Sequence, residues 1–352
     1  MEEEFYDPGR DRQIGAVIHF PASSAGSSEF AEGAFPVLVF GHGFLMGVDA
    51  YGNFRDRFVP DGYILVLPTT EGGFPDHQAF GEDLAFLAGA LQAAGSDAAS
   101  IFNGHVAPAT ALMGHSMGGG ASMLAGALDP PVQTIVNFAA AETDPSAIAA
   151  AGQITLPTLM FAASEDCVTP IGAHQQPMYN ALSSSCKALV NINGGGHCYF
   201  ANSNLTCELG EFTCFPDLSI DRAAQHDVLF DFIDPWLKAF LLNDEAAYST
   251  FLDSASTSDR AVILQDCIST SVDLEERQEL NVHPVPADKE LHIVGIGARV
   301  DEIMLVDPFG RIVHGDSPVE GKLDVSALPN GSYHMLIRSE GRRYSKRIII
   351  LH

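Results

Sequence analysis

Seven residues, Gly114-His115-Ser116-Met117-Gly118-Gly119-Gly120, limit the folds open to this chain more than any other stretch. An apolar run over 109–113 precedes them and reads as a buried strand, and a stretch over 121–128 follows and reads as a helix. A serine framed by glycines between a strand and a helix is the pattern of a nucleophile elbow, G-x-S-x-G. The glycines have a steric reason: a serine on so tight a turn needs neighbours without Cβ atoms, so that strand and helix can approach closely. Read blandly, this is a Gly-rich turn that contains a serine, but its context favours a nucleophile.

The surrounding pattern agrees. Residues 14–20 read as an edge strand, and 36–40 and 63–67 as continuous apolar strands covered on both faces. A helix is expected over 78–93, then the elbow strand and helix, then a strand over 132–138. A short helix at 146–151, a strand at 155–162, a helix at 171–182, a strand at 187–192 and a long amphipathic helix at 221–242 complete the series. Strands alternating with helices imply a mostly parallel sheet with helices on both faces. An elbow inside that pattern implies an α/β-hydrolase fold.

A serine hydroxyl is a weak nucleophile and needs a base within hydrogen-bond reach. In this fold the partners follow in the order Ser, acid, His. The strand at 155–162 runs into Ala163-Ser164-Glu165-Asp166, which makes Asp166 the acid, with Glu165 as its adjacent alternative. The strand at 187–192 runs into Asn193-Gly194-Gly195-Gly196-His197, which makes His197 the base. The oxyanion donors expected are the backbone N–H of Met117, after the nucleophile, and of Phe44, in the loop Gly41-His42-Gly43-Phe44. His115 is expected to pack or hydrogen-bond locally, His42 to be structural, and His174 and His226 to sit on helices in ordinary packing roles. No cofactor is called for, and no metal-ligand set, calcium included, can be named.

Of 352 residues, 46% are hydrophobic and 18% charged, as in a globular chain with room for two domains. No apolar run reaches membrane-spanning length, and Met1-Glu2-Glu3-Glu4 lacks the pattern of a signal peptide. The net charge of −27 resides almost wholly in residues 1–275, a field that repels nucleic acid and anionic membranes and that also aids solubility. All six cysteines (Cys167, Cys186, Cys198, Cys207, Cys214 and Cys267) fall in one region, which points to disulfides and an oxidising compartment. Cys207 and Cys214, flanking a short loop, are the simplest pair to imagine.

After Cys267 the texture changes to short β-rich runs separated by turn signals such as Asp307-Pro308-Phe309-Gly310, Pro329-Asn330-Gly331 and Ser339-Glu340-Gly341. The expected division is an α/β-hydrolase domain over 1–270, a linker over 271–281 and a small antiparallel β-sandwich over 282–352.

Residues 1 to about 260 resemble the bacterial cutinase and polyester (PET) hydrolase family, related to dienelactone hydrolases. The resemblance rests on the elbow, on Leu156-Pro157-Thr158-Leu159 leading to Asp166, on Val168-Thr169-Pro170, on Gly194 to His197, and on Trp236-Leu237-Lys238-Ala239-Phe240 with the exit that follows. It implies Ser116, Asp166 and His197 as a triad, Phe44 and Met117 as oxyanion donors, and a shallow, lidless cleft for bulky esters. The chain departs from the family where a Trp usually follows the strand after the elbow helix: here the residues are Ala141-Glu142-Thr143-Asp144-Pro145-Ser146, and the one Trp is Trp236. Cys167 and Cys198 follow the acid and the base, so a bond between them would pin the two catalytic loops together.

Residues 282–352 resemble the C-terminal sorting domain of the type IX (Por) secretion system, through Val282-His283-Pro284-Val285-Pro286-Ala287, Val306 to Arg311, Leu323 to Tyr333, and Lys346 to Ile350. This implies export across the outer membrane of a Gram-negative bacterium, with the secretion machinery as partner. The reading is a secreted, monomeric serine carboxylester hydrolase acting on bulky or polymeric esters. Its rivals are a lipase or short-chain esterase without polymer activity, and a non-catalytic surface binding protein.

Overall fold

The computed structural model describes residues 1–24, 26–267, 281–294, 302–307, 311–316, 322–339 and 342–352. The expected linker at 271–281 falls almost entirely outside them, as do residues 308–310 and 340–341 of two expected turns.

Among the described residues, nine strands form one sheet: β1 (Glu2–Asp7), β2 (Arg12–His19), β3 (Phe35–Gly41), β4 (Ile64–Pro68), β5 (Val106–His115), β6 (Thr134–Phe138), β7 (Thr158–Ala163), β8 (Cys186–Ile192) and β9 (Ala261–Cys267). Their spatial order is β1-β2-β4-β3-β5-β6-β7-β8-β9. Strands β3 to β8 are parallel; β1, β2 and β9 run antiparallel to their neighbours. The helices are α1 (Gly52–Phe58), α2 (His77–Ser96), α3 (Met117–Gly126), α4 (Ala147–Ala151), α5 (Gln175–Ala181), α6 (Leu205–Phe212), α7 (Arg222–Leu242) and α8 (Glu245–Thr257). This is the α/β-hydrolase arrangement expected, and no described helix is long and apolar enough to cross a membrane.

The continuous apolar runs are explained by two cores. In β3, Leu38 and Phe40 enter one core with Phe54, Phe138 and Trp236, while Val37 and Val39 enter the other with Leu84, Leu112 and Met123. A strand covered on both faces has no solvent side to make polar. Trp236 is fully buried and donates its Nε1–H to Thr134 Oγ1 at 2.8 Å.

The C-terminal part has a three-stranded antiparallel sheet of β10 (Asn281–His283), β11 (Glu290–Val294) and β14 (Lys322–Asp324). A four-stranded one holds β12 (Glu302–Val306), β13 (Ile312–Asp316), β15 (Gly331–Ser339) and β16 (Arg342–Ile350). Leu291, Ile303, Leu305, Met335 and Ile348 are among the residues of its buried core.

The structure corrects the sequence reading in three places. Residues 14–20 are not the sheet edge, because the acidic β1 pairs outside them; charged side chains on an edge strand discourage further pairing. Cys207 does not pair with Cys214: Cys207 lies in the first turn of α6 and Cys214 just past its last, and each is bonded to a different loop. Nor does Cys167 pair with Cys198. The bonds are Cys167–Cys214, Cys198–Cys207 and Cys186–Cys267. The last joins opposed residues of β8 and β9, closing a sequence separation of 81.

Peptide mapping without reduction is expected to recover these three pairs. Replacing both Cys186 and Cys267 by Ala is expected to lower stability by about 2–5 kcal/mol, since the bond constrains a long loop of the unfolded chain. A reduced urea midpoint is the measurement.

Candidate active site

Ser116 stands between β5 and α3 with φ 54° and ψ −119°. That conformation is costly for a residue with a Cβ, by about 1–3 kcal/mol, and persists only where the surroundings enforce it. Here they do. Ser116 N–H donates to Phe138 O (2.9 Å), and Ser116 O accepts from Gly120 N (3.1 Å) and Ala141 N (2.9 Å). The turn also needs contact with the end of β3. A Cβ on Gly118 would lie 2.1 Å from Gly41 O, so only glycine permits that approach.

Asp166 and His197 leave the ends of β7 and β8 and meet: His197 Nδ1 donates to Asp166 Oδ2 at 2.8 Å. Both are buried. Burial by itself would raise the Asp166 pKa; the His197 ring and the donors from Thr169 outweigh it and hold the carboxyl below its ordinary range. Ser116 reaches the same end of the sheet, but no hydrogen bond joins its hydroxyl to His197 among the described contacts. Such bonds often tighten only when substrate is present. Glu165, the alternative acid, accepts only from its neighbour Ser164 among the side-chain hydrogen bonds described.

His115 does more than pack locally. Its Nε2 lies 3.1 Å from the carbonyl oxygen of His197, and its Nδ1 lies 3.1 Å from Tyr51 Oη. A carbonyl can only accept, so Nε2 carries the proton and Nδ1 accepts from Tyr51. The Tyr51 hydroxyl in turn accepts Gly43 N–H at 2.7 Å. This directional chain ties the loop after β3, the turn at Ser116 and the His197 loop together. It also occupies the Gly43 amide, leaving Phe44 N–H as the next donor along that loop. Met117 N–H opens α3, where first-turn amides have no intrahelical acceptor. Burial, reinforced by the nearby His197, pushes the His115 pKa down to about 3, so its ring is neutral.

His42 lies between the carbonyls of Gly43 (2.9 Å) and Thr70 (2.8 Å). His226 is on α7, as expected, whereas His174 sits just before α5, where its Nδ1 accepts Glu142 N–H at 2.9 Å. The Glu142 carboxylate accepts Ile148 N–H at 2.9 Å, so the segment where the family usually has a Trp starts α4 instead.

The two disulfides near the site anchor α6. Cys198, beside His197, is bonded to Cys207 in α6; Cys167, beside Asp166, is bonded to Cys214 just past it. Buried Glu211 packs inward and accepts Cys198 N–H at 3.2 Å. Leu205, Leu209, Phe212 and Phe215 are exposed, as are Phe44, Leu45 and Val168. Among the described residues no cluster of three or more His, Cys, Asp or Glu side chains is placed to hold a metal.

Sequence reasoning gave no role to Tyr51, Thr169 or Gln175, although Thr169 is among the residues that carry the resemblance. Thr169 alone had a local signal, since an Asp three residues before a Thr can accept the backbone amides of that turn. Tyr51 and Gln175 reach the site through tertiary structure only.

A family model described as PET hydrolase-like matches residues 15–267, and one described as a secretion system C-terminal sorting domain matches residues 281–351. A bis(hydroxyethyl) terephthalate hydrolase from Streptomyces coelicolor is 24% identical over 239 residues, covering 68% of this chain and 65% of the relative, just under two thirds of its length. Cutinase est1 of Thermobifida alba is 24% identical, covering 71% of this chain and 73% of the relative. Cutinase 1 of Thermobifida cellulosilytica is 28% identical over 143 residues, or 40% of this chain and 44% of the relative.

The His115 shift has a consequence for stability. Its ordinary value is 6.5 and its folded value about 3. Between these the unfolded chain binds the proton better, so stability rises with pH through that window and is lost on acidification. Asp166, shifted below its ordinary 3.8, weakens the fold only at lower pH. The urea midpoint is expected to fall as pH drops below about 6.5 and to fall less steeply in His115→Gln, where the titrating ring is gone.

Proposed function

We propose, since the chain belongs to the PET hydrolase-like family, that it is a carboxylic-ester hydrolase with Ser116, His197 and Asp166 as its triad. The observation that carries the reading is the buried Asp166–His197 hydrogen bond at the same sheet end as a serine held at positive φ. With Nδ1–H donated to Asp166, Nε2 is the ring nitrogen left to take a proton. Ser116 Oγ attacks the ester carbonyl and passes its proton to His197 Nε2. The carbonyl oxygen gains negative charge and is met by the N–H groups of Phe44 and Met117. His197 then protonates the departing alkoxide, leaving Ser116 acylated; water, giving its proton to His197, attacks this ester, and His197 returns the proton to Ser116 Oγ as the acid leaves. Asp166 orients the ring and stabilises it while charged.

Two features favour uncharged, apolar esters, bulky or polymeric ones included. The domain carries nearly all of the −27 net charge, which disfavours anionic substrates. Exposed Phe44 and Val168, and the apolar stripe of α6 tethered to both catalytic loops, offer contact area to an apolar chain. One observation favours the narrower reading of an esterase or lipase without polymer activity: the segment Ala141 to Ser146, in the region where the family usually has a Trp, holds none, and the one Trp, Trp236, is buried. The sorting domain marks the protein as extracellular or bound at the cell surface, through type IX export.

Ser116→Ala is expected to lower kcat on a soluble ester about 1,000-fold or more, with little change in KM. Release of soluble aromatic acids from amorphous PET film by wild type, abolished in Ser116→Ala, is the expected mark of a polyesterase. Soluble-ester turnover without release from film would assign the narrower reading. Full activity in Ser116→Ala would overturn the triad.

A further inference from the structure

Thr169 stands between the acid and the base. Its Oγ1 is 2.8 Å from Asp166 Oδ2 and 3.1 Å from His197 Nδ1. It is also 3.1 Å from the carbonyl oxygen of Ala139 and 3.2 Å from Gln175 Nε2. Asp166 Oδ1 accepts the backbone N–H groups of Val168 (2.9 Å) and Thr169 (2.8 Å). The carboxylate thus meets two amides at one oxygen and the imidazole and hydroxyl at the other, about the four partners an ionised carboxylate accommodates. Thr169, Gln175, Asp166 and His197 are all buried, so water cannot replace a missing member cheaply.

The groups that hold Thr169 lead back to Ser116. Gln175 Nε2 donates to Ala140 O at 2.7 Å as well as to Thr169. Ala139 is a non-glycine residue at φ 45°, and Ala141 donates its N–H to Ser116 O. The acid loop therefore hangs from residues 139 and 140, and residue 141 holds the serine. Nδ1–H of His197 also faces two oxygens, so the imidazole resists rotation about its ring axis.

We propose that Thr169 is a positioning residue, whose hydroxyl, braced by Gln175, fixes the Asp166–His197 pair at the depth and rotation that serve Ser116. The proposal rests on the triad reading above. Thr169→Val keeps the volume of the side chain and removes the hydroxyl; Thr169→Ser keeps the hydroxyl. Kinetics on a chromogenic short-chain ester are expected to show kcat lowered about 10- to 100-fold in Thr169→Val, the scale of a misplaced catalytic group, with KM nearly unchanged. Thr169→Ser is expected to recover most of the loss, which a merely space-filling role would not require. Gln175→Leu, with Thr169 intact, is expected to lower kcat in the same way and serves if Thr169→Val does not fold. His197→Ala separates the two levels of inference. If it is inactive while Thr169→Val or Gln175→Leu keeps wild-type kcat, positioning by Thr169 is overturned and the triad stands. If His197→Ala is active, both are overturned.

Discussion

The site depends on one close approach of backbone, where the turn after β5 presses Gly118 against Gly41 at the end of β3. That approach brings the oxyanion loop beside the first turn of α3. It also leaves Ser116 in a conformation that a free peptide would abandon. The exit of β6 compensates by hydrogen-bonding both backbone groups of Ser116, through Phe138 and Ala141. Of the two residues between them, Ala140 accepts from Gln175, and the Ala139 carbonyl lies 3.1 Å from Thr169 Oγ1, sharing its one proton with Asp166. One short stretch, 138–141, therefore braces Ser116 on one side and the Asp166 loop on the other.

A buried carboxylate in so acidic a domain would protonate unless it were richly hydrogen-bonded. Asp166 meets that condition with donors from its own turn and from His197, so the anion is largely satisfied by residues 166–169 and its partner ring. The loops themselves are held differently. Cys167 and Cys198 are not bonded to each other but each to the α6 segment, so the separation of acid and base loops is referred to a third body. A direct bond would have fixed one distance. Two bonds to the α6 segment fix each loop independently and leave the Asp166–His197 contact itself to hydrogen bonding. They also hold in place a helix whose apolar residues Leu205, Leu209 and Phe212 are exposed.

What was legible in the sequence is what is encoded locally. The elbow, the apolar strands and the glycine run before His197 carry their geometry in adjacent residues, and chain order then suggests Asp166 and His197 as partners. The strands of the sheet interior, β3 to β8, were legible for the same reason. What escaped is what only the third dimension decides. β1 is a run of acidic residues whose alternation is meaningful only beside β2. The stretch expected as a short loop is largely helical, with Cys207 near the start of α6 and Cys214 past its end, and the two sulfurs meet different loops. Tyr51 lies 64 residues from His115, and nothing near it indicates that its hydroxyl joins Gly43 to the elbow. Thr169 is the intermediate case: its place in the Asp166 turn is local, while its contacts with His197 and Ala139 are not. Residues of this kind, close in sequence to a catalytic group yet bonded across the fold, are where a one-dimensional reading stops short. They are also where a small change, such as one hydroxyl lost, acts on geometry without removing any of the reacting atoms.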